Sequence, residues 1–327
     1  MEISRLIFWQ AVAITTGYLV PSIGHAEAEA TSLSEPPSVE FRLATEVLDD
    51  SYTQLVNGVT VSAGDWPALI IAKPSKKKPS DVPLPSCTGS LVGPNVVLTA
   101  AHCVEQKREG GKTRSASLTI GNQTLPMYCD MHPGYSSHPL MGLAPRSSDD
   151  FALCILDDSG QRPQQLKTMQ YEVIDADAVL VSGGNIVMTG YGCKELKVVN
   201  GKLKAGVSDG RLRIGDGVID KPAGSEPGRP SYVTIRSITS IEPALCPGDS
   251  GGPLLSGITA NNPSQNRRIR GVNSSISVTG KYFISRIAAT GTYSFRSWAK
   301  DWISKNNKLK PEVCGLNLTA GEKQCGF

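Results

Sequence analysis

The sequence contains the stretch Cys246-Pro247-Gly248-Asp249-Ser250-Gly251-Gly252-Pro253-Leu254, and the six residues Gly-Asp-Ser-Gly-Gly-Pro within it seldom occur together by chance. Nucleophilic catalysis by serine requires an exposed hydroxyl, together with hydrogen-bond donors aimed at the oxyanion that forms on the attacked carbonyl. Glycines allow the backbone to turn tightly enough to provide both. The alternative for such a stretch is an ordinary glycine-rich turn.

A candidate general base lies earlier in the chain. A serine hydroxyl is a weak nucleophile at neutral pH, and the pKa of histidine suits that residue to accept the proton. His102 occurs in Thr99-Ala100-Ala101-His102-Cys103, directly after the apolar stretch from Val96 to Leu98. A lone histidine at such a position is more often a packed core residue, so its assignment as a base depends on the serine motif.

The third requirement is a carboxylate that fixes the imidazole tautomer and stabilises the imidazolium. The segment Asp149-Asp150-Phe151-Ala152-Leu153 supplies two candidates. Adjacent residues of a strand point to opposite faces, so only one of the two aspartates can point inward.

These three motifs resemble those of the chymotrypsin-like (trypsin-like) serine protease family. Their order along the chain, His, Asp, Ser, is the order of this family and not that of subtilisins or α/β-hydrolases. The resemblance implies a catalytic triad of His102, Asp150 and Ser250, because the family places its aspartate one apolar residue before Ala-Leu. Asp149 is the fallback. The resemblance also implies an oxyanion hole formed by the backbone amides of Gly248 and Ser250.

The resemblance covers about residues 55–306 and implies an all-β fold. In that fold, two six-stranded antiparallel β-barrels flank the active site and a C-terminal α-helix follows. The 33 Gly and 22 Pro residues agree, since they favour short strands joined by tight turns. The sequence pattern predicts strands at residues 68–72, 90–99, 179–190 and 232–237. One helix is predicted from a single apolar stripe formed by Phe295, Trp298, Ala299, Trp302 and Ile303.

The two ends of the chain lie outside this resemblance. Residues 1–26 have the pattern of a signal peptide, with a membrane anchor as the alternative. Residues 27–54 are rich in Ala, Ser, Glu and Pro, which predicts a pro-segment or flexible leader. Residues 307–327 form a C-terminal tail. We therefore expect a secreted or periplasmic protein with no membrane anchor after signal removal.

Eight cysteines, an even number in an exported chain, predict disulfides. None forms a C-x-x-C pair and the four histidines are scattered, so we expect neither a metal nor another cofactor. The resemblance implies a bridge between Cys87 and Cys103, and its strand arrangement favours the pairs Cys129–Cys154 and Cys193–Cys246. Proximity in the tail suggests that Cys314 pairs with Cys325.

The balance of charge indicates the kind of partner. With 33 basic and 30 acidic residues the formal net charge is +3, which argues against a nucleic-acid partner. The expected partner is a protein or peptide substrate, together with a possible activating protease.

The segment Leu55-Val56-Asn57-Gly58 resembles the activated N-terminus of the family. The resemblance implies that cleavage between Gln54 and Leu55 frees an α-amino group, which inserts next to Asp249 and orders the oxyanion hole. The sequence departs from the family pattern here. Leu55 replaces the usual Ile, and Gln54 offers no basic residue to a trypsin-like activator.

The resemblance also implies a substrate pocket. Its base lies six residues before the nucleophile, at Ala244, with Leu245 beside it, so no carboxylate is present there for an Arg or Lys side chain. The stretch Gly271-Val272-Asn273-Ser274-Ser275-Ile276 resembles the pocket wall. In it Ser274 would bind the triad aspartate, while Ser275 and Ile276 would line the substrate. We predict cleavage after small or medium apolar residues.

The predicted function is a serine endopeptidase that is made as a zymogen and forms an acyl-enzyme on Ser250. The main alternative is a catalytically silent homologue that binds a partner through the same surface. A third possibility is an esterase, which would share the acyl chemistry.

Overall fold

The computed structural model describes residues 39–43, 55–74, 86–105, 114–135, 148–157 and 162–326, except for the single positions 200, 207, 209, 240 and 265. The predicted signal peptide and most of residues 27–54 lie outside the described residues.

The described chain is built mainly of β-strands. The strands are β1 Val39–Leu43, β2 Val59–Thr60, β3 Leu69–Pro74, β4 Cys87–Gly93, β5 Val96–Thr99, β6 Arg114–Ile120, β7 Gln123–Met131, β8 Ala152–Leu156, β9 Asn185–Gly190, β10 Leu196–Val199, β11 Lys202–Ala205, β12 Arg213–Lys221, β13 Tyr232–Ile238, β14 Pro253–Ser256, β15 Arg268–Thr279 and β16 Tyr282–Ala289. The α-helices are α1 Ala101–Val104, α2 Gln164–Thr168 and α3 Tyr293–Lys305, and short 3₁₀ turns lie at Ala63–Asp65 and Asn307–Leu309.

The N-terminal strands form a closed barrel in the order β1-β3-β4-β5-β8-β7-β6. Alternate apolar side chains of these strands fill its interior, among them Phe41, Ile70, Leu91 and Leu118, which are fully buried. Barrel closure leaves no unpaired strand edge.

This barrel has seven strands and not the six that we predicted. The additional strand, β1, lies within residues 27–54, which we predicted to be a pro-segment or flexible leader, and residues 39–43 of that segment form a strand. The physical reason is the alternation of Val39, Phe41 and Leu43, which are 2%, 0% and 4% exposed. A strand whose alternate side chains are apolar is stabilised when that face is buried.

The second sheet has the order β13-β16-β15-β14-β9-β12-β2, and an additional pairing between β13 and β12 closes a six-stranded barrel. Its interior contains Met188, Val233, Leu254 and Ile287, all fully buried. The predicted all-β class with two barrels and a C-terminal helix is therefore confirmed.

The predicted elements differ from the observed ones in two places. Residues 90–99 form two strands, because a turn at residues 94–95 separates β4 from β5. The strand predicted at 179–190 begins only at Asn185, after a turn in which Gly183 has a φ of +81°. The predicted helix is confirmed as α3, whose first turn is capped by the Thr292 hydroxyl accepting a hydrogen bond from the Phe295 amide.

The structure contains four disulfides, and their pairing is the predicted one: Cys87–Cys103, Cys129–Cys154, Cys193–Cys246 and Cys314–Cys325. The last of these closes an 11-residue separation in the tail. The tail packs on the first barrel, where the amide of Cys314 donates to the carbonyl of Val92. Among the described residues, no helix has the length and apolar character required to cross a membrane.

Candidate active site

Strand pairing in the first barrel brings His102 and Asp150 together. β5 and β8 are antiparallel neighbours, and Thr99 at the end of β5 pairs with Ala152 at the start of β8. The residues that follow β5 therefore lie beside the residues that precede β8. His102 occupies the short helix α1 after β5, and Asp150 lies two residues before β8.

The imidazole of His102 contacts the carboxylate of Asp150 directly. Nδ1 of His102 lies 2.7 Å from Oδ2 of Asp150, and the backbone amide of His102 donates to Oδ1 at 3.0 Å. Two contacts from one residue fix both the ring and the carboxylate. The Asp150 side chain is fully buried, whereas that of His102 is 30% exposed.

Each member of this pair shifts the pKa of the other. Burial alone lowers the pKa of His102, but the charge and hydrogen bond of Asp150, with a further contribution from Glu105, raise it above its ordinary value. Burial also opposes ionisation of Asp150. The imidazole and the hydrogen bonds from His102 and Ser274 nevertheless lower the pKa of Asp150 below its ordinary value. The pair is thus arranged to hold a carboxylate against an imidazolium.

Two hydroxyl groups extend this pair into the second barrel. Ser274 donates to Oδ2 of Asp150 at 2.5 Å, and the Tyr232 hydroxyl lies 2.8 Å from the Ser274 oxygen. The contact predicted for Ser274 is therefore present. Tyr232 had no signal in the sequence, because its role depends on the pairing of β13 with β16.

Asp149, the fallback for the third position, is directed elsewhere. Its carboxylate accepts a hydrogen bond from the Ser231 hydroxyl at 2.5 Å, and Oδ2 lies 3.8 Å from Nδ1 of His132. Of the two adjacent aspartates, the structure brings only Asp150 into hydrogen-bond contact with His102.

Ser250 lies in the turn before β14, beside the imidazole. Cys103 Sγ lies 3.7 Å from Nε2 of His102 and 3.6 Å from the carbonyl oxygen of Ser250, so the two residues flank the same sulfur atom. The Ser250 hydroxyl donates to the carbonyl of Ser274 at 3.4 Å. Within the part of the chain that the structure describes, no hydrogen bond joins this hydroxyl to His102.

The loop before Ser250 is fixed by hydrogen bonds from Thr88 of the first barrel. Thr88 donates its hydroxyl to the Gly248 carbonyl at 2.9 Å and its amide to the Ser250 carbonyl at 2.7 Å. Gly248 has a φ of +108°, and a Cβ there would lie 2.7 Å from the Cα of Gly192. The amides of Gly248 and Ser250 have no hydrogen-bond acceptor among the described residues, which leaves both able to bind an oxyanion.

Asp249 points away from the nucleophile into the second barrel. Its carboxylate is fully buried and accepts hydrogen bonds from the amides of Gly192 at 2.8 Å and Cys246 at 2.7 Å. Burial raises the pKa of Asp249 to about 7, although these hydrogen bonds and the charge of Arg213 oppose the rise. A glycine is required at 192 because a Cβ there would lie 2.4 Å from Oδ1 of Asp249.

The predicted activation segment lies at the base of the predicted pocket. Leu55 is fully buried in the same apolar cluster as Leu245. The next residue, Val56, forms a β-bridge with Ala244, whose amide donates to the Val56 carbonyl at 3.2 Å.

The pocket base is apolar. Ala244 is fully buried in one cluster with Phe283, and Ile276 packs against this cluster from β15. The amide of Leu245 donates to the Ser285 hydroxyl at 3.1 Å. Sequence reasoning missed Phe283 and Ser285. The alternation of apolar residues along β16 was a signal that these side chains are buried. That they lie at the pocket base could be known only from the pairing register of β16 with β15.

One further pair near His102 was also missed. The Tyr135 hydroxyl donates to the carboxylate of Glu105 at 3.4 Å, and Glu105 directly follows the helix that carries His102. Burial and the nearby negative charges of Asp150 and Glu105 raise the pKa of Tyr135. This hydroxyl therefore stays protonated and can serve as a hydrogen-bond donor.

Among the described residues, the one group of side chains with metal-ligating spacing is formed by Cys87, His102 and Cys103. Both sulfur atoms of this group are joined in a disulfide and have no thiolate to offer a metal. The donor set therefore does not fit a metal ion.

Comparison with known proteins identifies the family. A sequence model of the family described as Trypsin matches residues 55–299. Human granzyme M is 29% identical over 186 residues, a region that covers 52% of this chain and 64% of that relative. Residues 55–299, which the family model matches, contain the strands of both barrels except for β1. The chain belongs to the trypsin family.

Proposed function

We propose that this protein is a secreted serine endopeptidase in which Ser250 is the nucleophile, His102 the general base and Asp150 the residue that orients the base. The observation that carries the proposal is the 2.7 Å contact between His102 Nδ1 and the fully buried Asp150 carboxylate. Ser250 lies in the neighbouring turn between Gly248 and Gly251, which have φ values of +108° and +83°. An imidazole held in this way has Nε2 available to accept a proton.

In the proposed mechanism, the Ser250 hydroxyl leaves the Ser274 carbonyl and rotates about χ1 toward Nε2 of His102. His102 then removes the hydroxyl proton while the oxygen attacks the substrate carbonyl. The amides of Gly248 and Ser250 stabilise the oxyanion. Its collapse breaks the carbon–nitrogen bond of the substrate, and the imidazolium of His102 gives its proton to the leaving amine, which leaves the acyl group on Ser250. Water that gives a proton to His102 then attacks the acyl group, and the carboxylic acid product departs as the Ser250 oxygen takes that proton back. Catalytic hydrogen bonds often tighten only when substrate is bound, so the 3.4 Å hydrogen bond of the Ser250 hydroxyl to Ser274, in place of one to His102, is compatible with this step.

The backbone beyond Ser274 offers a place for the peptide. β14 pairs with β15 only as far as Val272, whereas β16 accompanies β15 to Thr279. One edge of residues 274–279 therefore has no strand partner among the described residues. A substrate in an extended conformation can add to this edge as a further strand, which supports peptides as substrates.

The zymogen part of the proposal depends on Asp249. In the uncleaved chain burial raises the pKa of this carboxylate to about 7. Its hydrogen bonds and the charge of Arg213 therefore do not fully offset the cost of burying the negative charge. A free α-amino group at Leu55 would supply the missing positive charge close to the loop that contains Gly248. We propose that cleavage between Gln54 and Leu55, by a separate protease, activates the enzyme in this way.

We propose that the enzyme cleaves after small or medium apolar residues. The burial of Ala244 and Phe283 in one apolar cluster, and the packing of Ile276 against that cluster, support a shallow apolar pocket without a carboxylate. The four disulfides support export to the exterior or the periplasm, because such bonds persist in oxidising compartments.

A covalent serine-directed fluorophosphonate probe tests the proposed function. The processed protein should be labelled on Ser250, and the Ser250→Ala variant should not. The contact of the Ser250 hydroxyl with the Ser274 carbonyl, rather than with His102, favours the silent homologue as the second candidate. Absence of labelling after Leu55 has been freed would support that candidate and contradict the enzyme.

A further inference from the structure

The strand β1 occupies a slot in the first barrel, although it lies on the N-terminal side of the proposed cleavage bond. It pairs antiparallel with β3, from Val39 opposite Pro74 to Leu43 opposite Ile70, and parallel with β6. β3 and β6 make no direct pairing with each other in the described part of the barrel. The barrel is therefore closed only through β1.

The side chains of β1 match this slot on both faces. Val39, Phe41 and Leu43 point into the barrel and belong to its apolar cluster. The ring of Phe41 fills the space above Gly89, where a Cβ would lie 3.4 Å from Cε1 of Phe41.

The outer face of β1 is polar. Glu40 forms an ion pair with Arg42 at 2.8 Å and accepts a hydrogen bond from the Thr119 hydroxyl at 2.9 Å. Thr119 lies on β6, so this contact fixes β1 against its parallel neighbour.

We infer that β1 stays bound after the proposed cleavage at Gln54–Leu55, so that the active enzyme consists of two polypeptides held together without a covalent bond. This inference rests on the proposed function for the cleavage itself. All eight cysteines follow Leu55 and are paired with one another, so no disulfide can retain the leader. Strand pairing along both edges of β1 and three buried apolar side chains retain it instead.

The retained strand is a structural part of the catalytic unit. The same barrel carries His102 after β5 and Asp150 before β8. Loss of β1 would expose the apolar barrel interior and leave the edges of β3 and β6 unpaired. The leader strand is thus a bound subunit of the active enzyme and not a segment discarded on activation.

Mass spectrometry of the processed full-length protein tests the inference. Under native conditions the active species should have the summed mass of the leader fragment and the fragment that begins at Leu55. Under denaturing conditions without reductant, the two masses should separate. An active species whose native mass lacks residues 39–43 would overturn the inference.

Two variants of the full chain in the inactive Ser250→Ala background provide a second test. Phe41→Asp places a charge in the barrel and should lower the melting temperature by about 10 °C, whereas Arg42→Gln on the outer face should lower it by about 2 °C or less. Equal melting temperatures would overturn the inference. This comparison needs no cleavage, so it tests the contribution of β1 to the barrel separately from activation. A failure to find Leu55 as a new N-terminus would contradict the activation proposal and the two-polypeptide enzyme, but not that contribution.

Discussion

The hydroxyl of Ser274 donates a hydrogen bond to Oδ2 of Asp150 across 2.5 Å, the same oxygen that contacts the imidazole of His102. This bond links the two barrels, because Asp150 precedes β8 of the first barrel and Ser274 lies on β15 of the second. The position of the proposed base, His102, thus depends on how the two barrels pack.

Removal of the Ser274 hydroxyl should slow catalysis. In Ser274→Ala the buried carboxylate loses one donor, so we expect kcat to fall about tenfold with little change in KM. Steady-state kinetics on a peptide substrate provide the measurement. Tyr232→Phe removes a hydroxyl one step further from Asp150 and should have a smaller effect. Equal losses in the two variants would contradict the assigned order of contacts.

Glu105 should affect the pH dependence of catalysis. The proposed base must be neutral, and the negative charges of Asp150 and Glu105 raise the pKa of His102. Activity should therefore rise with pH through a midpoint above the ordinary value of 6.5. Glu105→Gln removes one of these charges, so the midpoint should move to lower pH, and more so at low salt. The measurement is kcat/KM against pH, with Asp301→Asn on α3 as a control that leaves the midpoint in place.

Asp249 should make the uncleaved chain less stable as the pH rises. Its folded pKa of about 7 exceeds the ordinary 3.8, so between these values the unfolded state releases a proton that the folded state retains. The free energy of unfolding should fall across this window, by on the order of 4 kcal/mol in total. Urea unfolding of the Ser250→Ala chain at several pH values measures the fall. In Asp249→Asn this fall in the free energy of unfolding should vanish. An unchanged pH dependence in that variant would contradict a raised pKa for Asp249.

Removal of the Cys193–Cys246 disulfide should impair catalysis as well as stability. The bond spans a separation of 53 residues and anchors the loop that presents Gly248 and Ser250. The double variant Cys193→Ala/Cys246→Ala should lose about 4 kcal/mol of stability. Its kcat should fall, because the loop that holds the amides of Gly248 and Ser250 is no longer anchored. The double variant Cys314→Ala/Cys325→Ala is the control. It should cost about 3 kcal/mol while the kcat of the folded fraction stays unchanged. Equal kcat values for both double variants would contradict this role.

Ile276 should limit the size of the residue that precedes the cleaved bond. Ile276→Gly removes a side chain that packs against the apolar cluster containing Ala244 and Phe283, which should open the pocket to aromatic residues. We expect kcat/KM for a Phe substrate, relative to an Ala substrate, to rise about tenfold. Profiling on a peptide library measures the change. A wild-type preference for Arg or Lys would contradict the proposed pocket.

Local sequence patterns predicted much of the candidate site. The motifs around His102 and Ser250 carry their signal in adjacent residues, because a tight turn and a strand end are set by nearby glycines and apolar runs. The amphipathic stripe of α3 and the short β-branched run that forms β13 were predicted for the same reason. Three of the four cysteine pairs were predicted from the family resemblance, and the pair Cys314–Cys325 was predicted from proximity in the tail.

What the sequence by itself determined is therefore the chemistry of the candidate residues and the class of the fold. Only the tertiary structure decided which strands are neighbours. It placed β1 between β3 and β6, and it buried Phe283 and Ala244 in one apolar cluster. It also brought Ser231 to Asp149 and Ser274 to Asp150. Such relationships depend on pairing between segments far apart in the chain. That pairing is selected by burial of whole faces at once, and a local pattern cannot specify it.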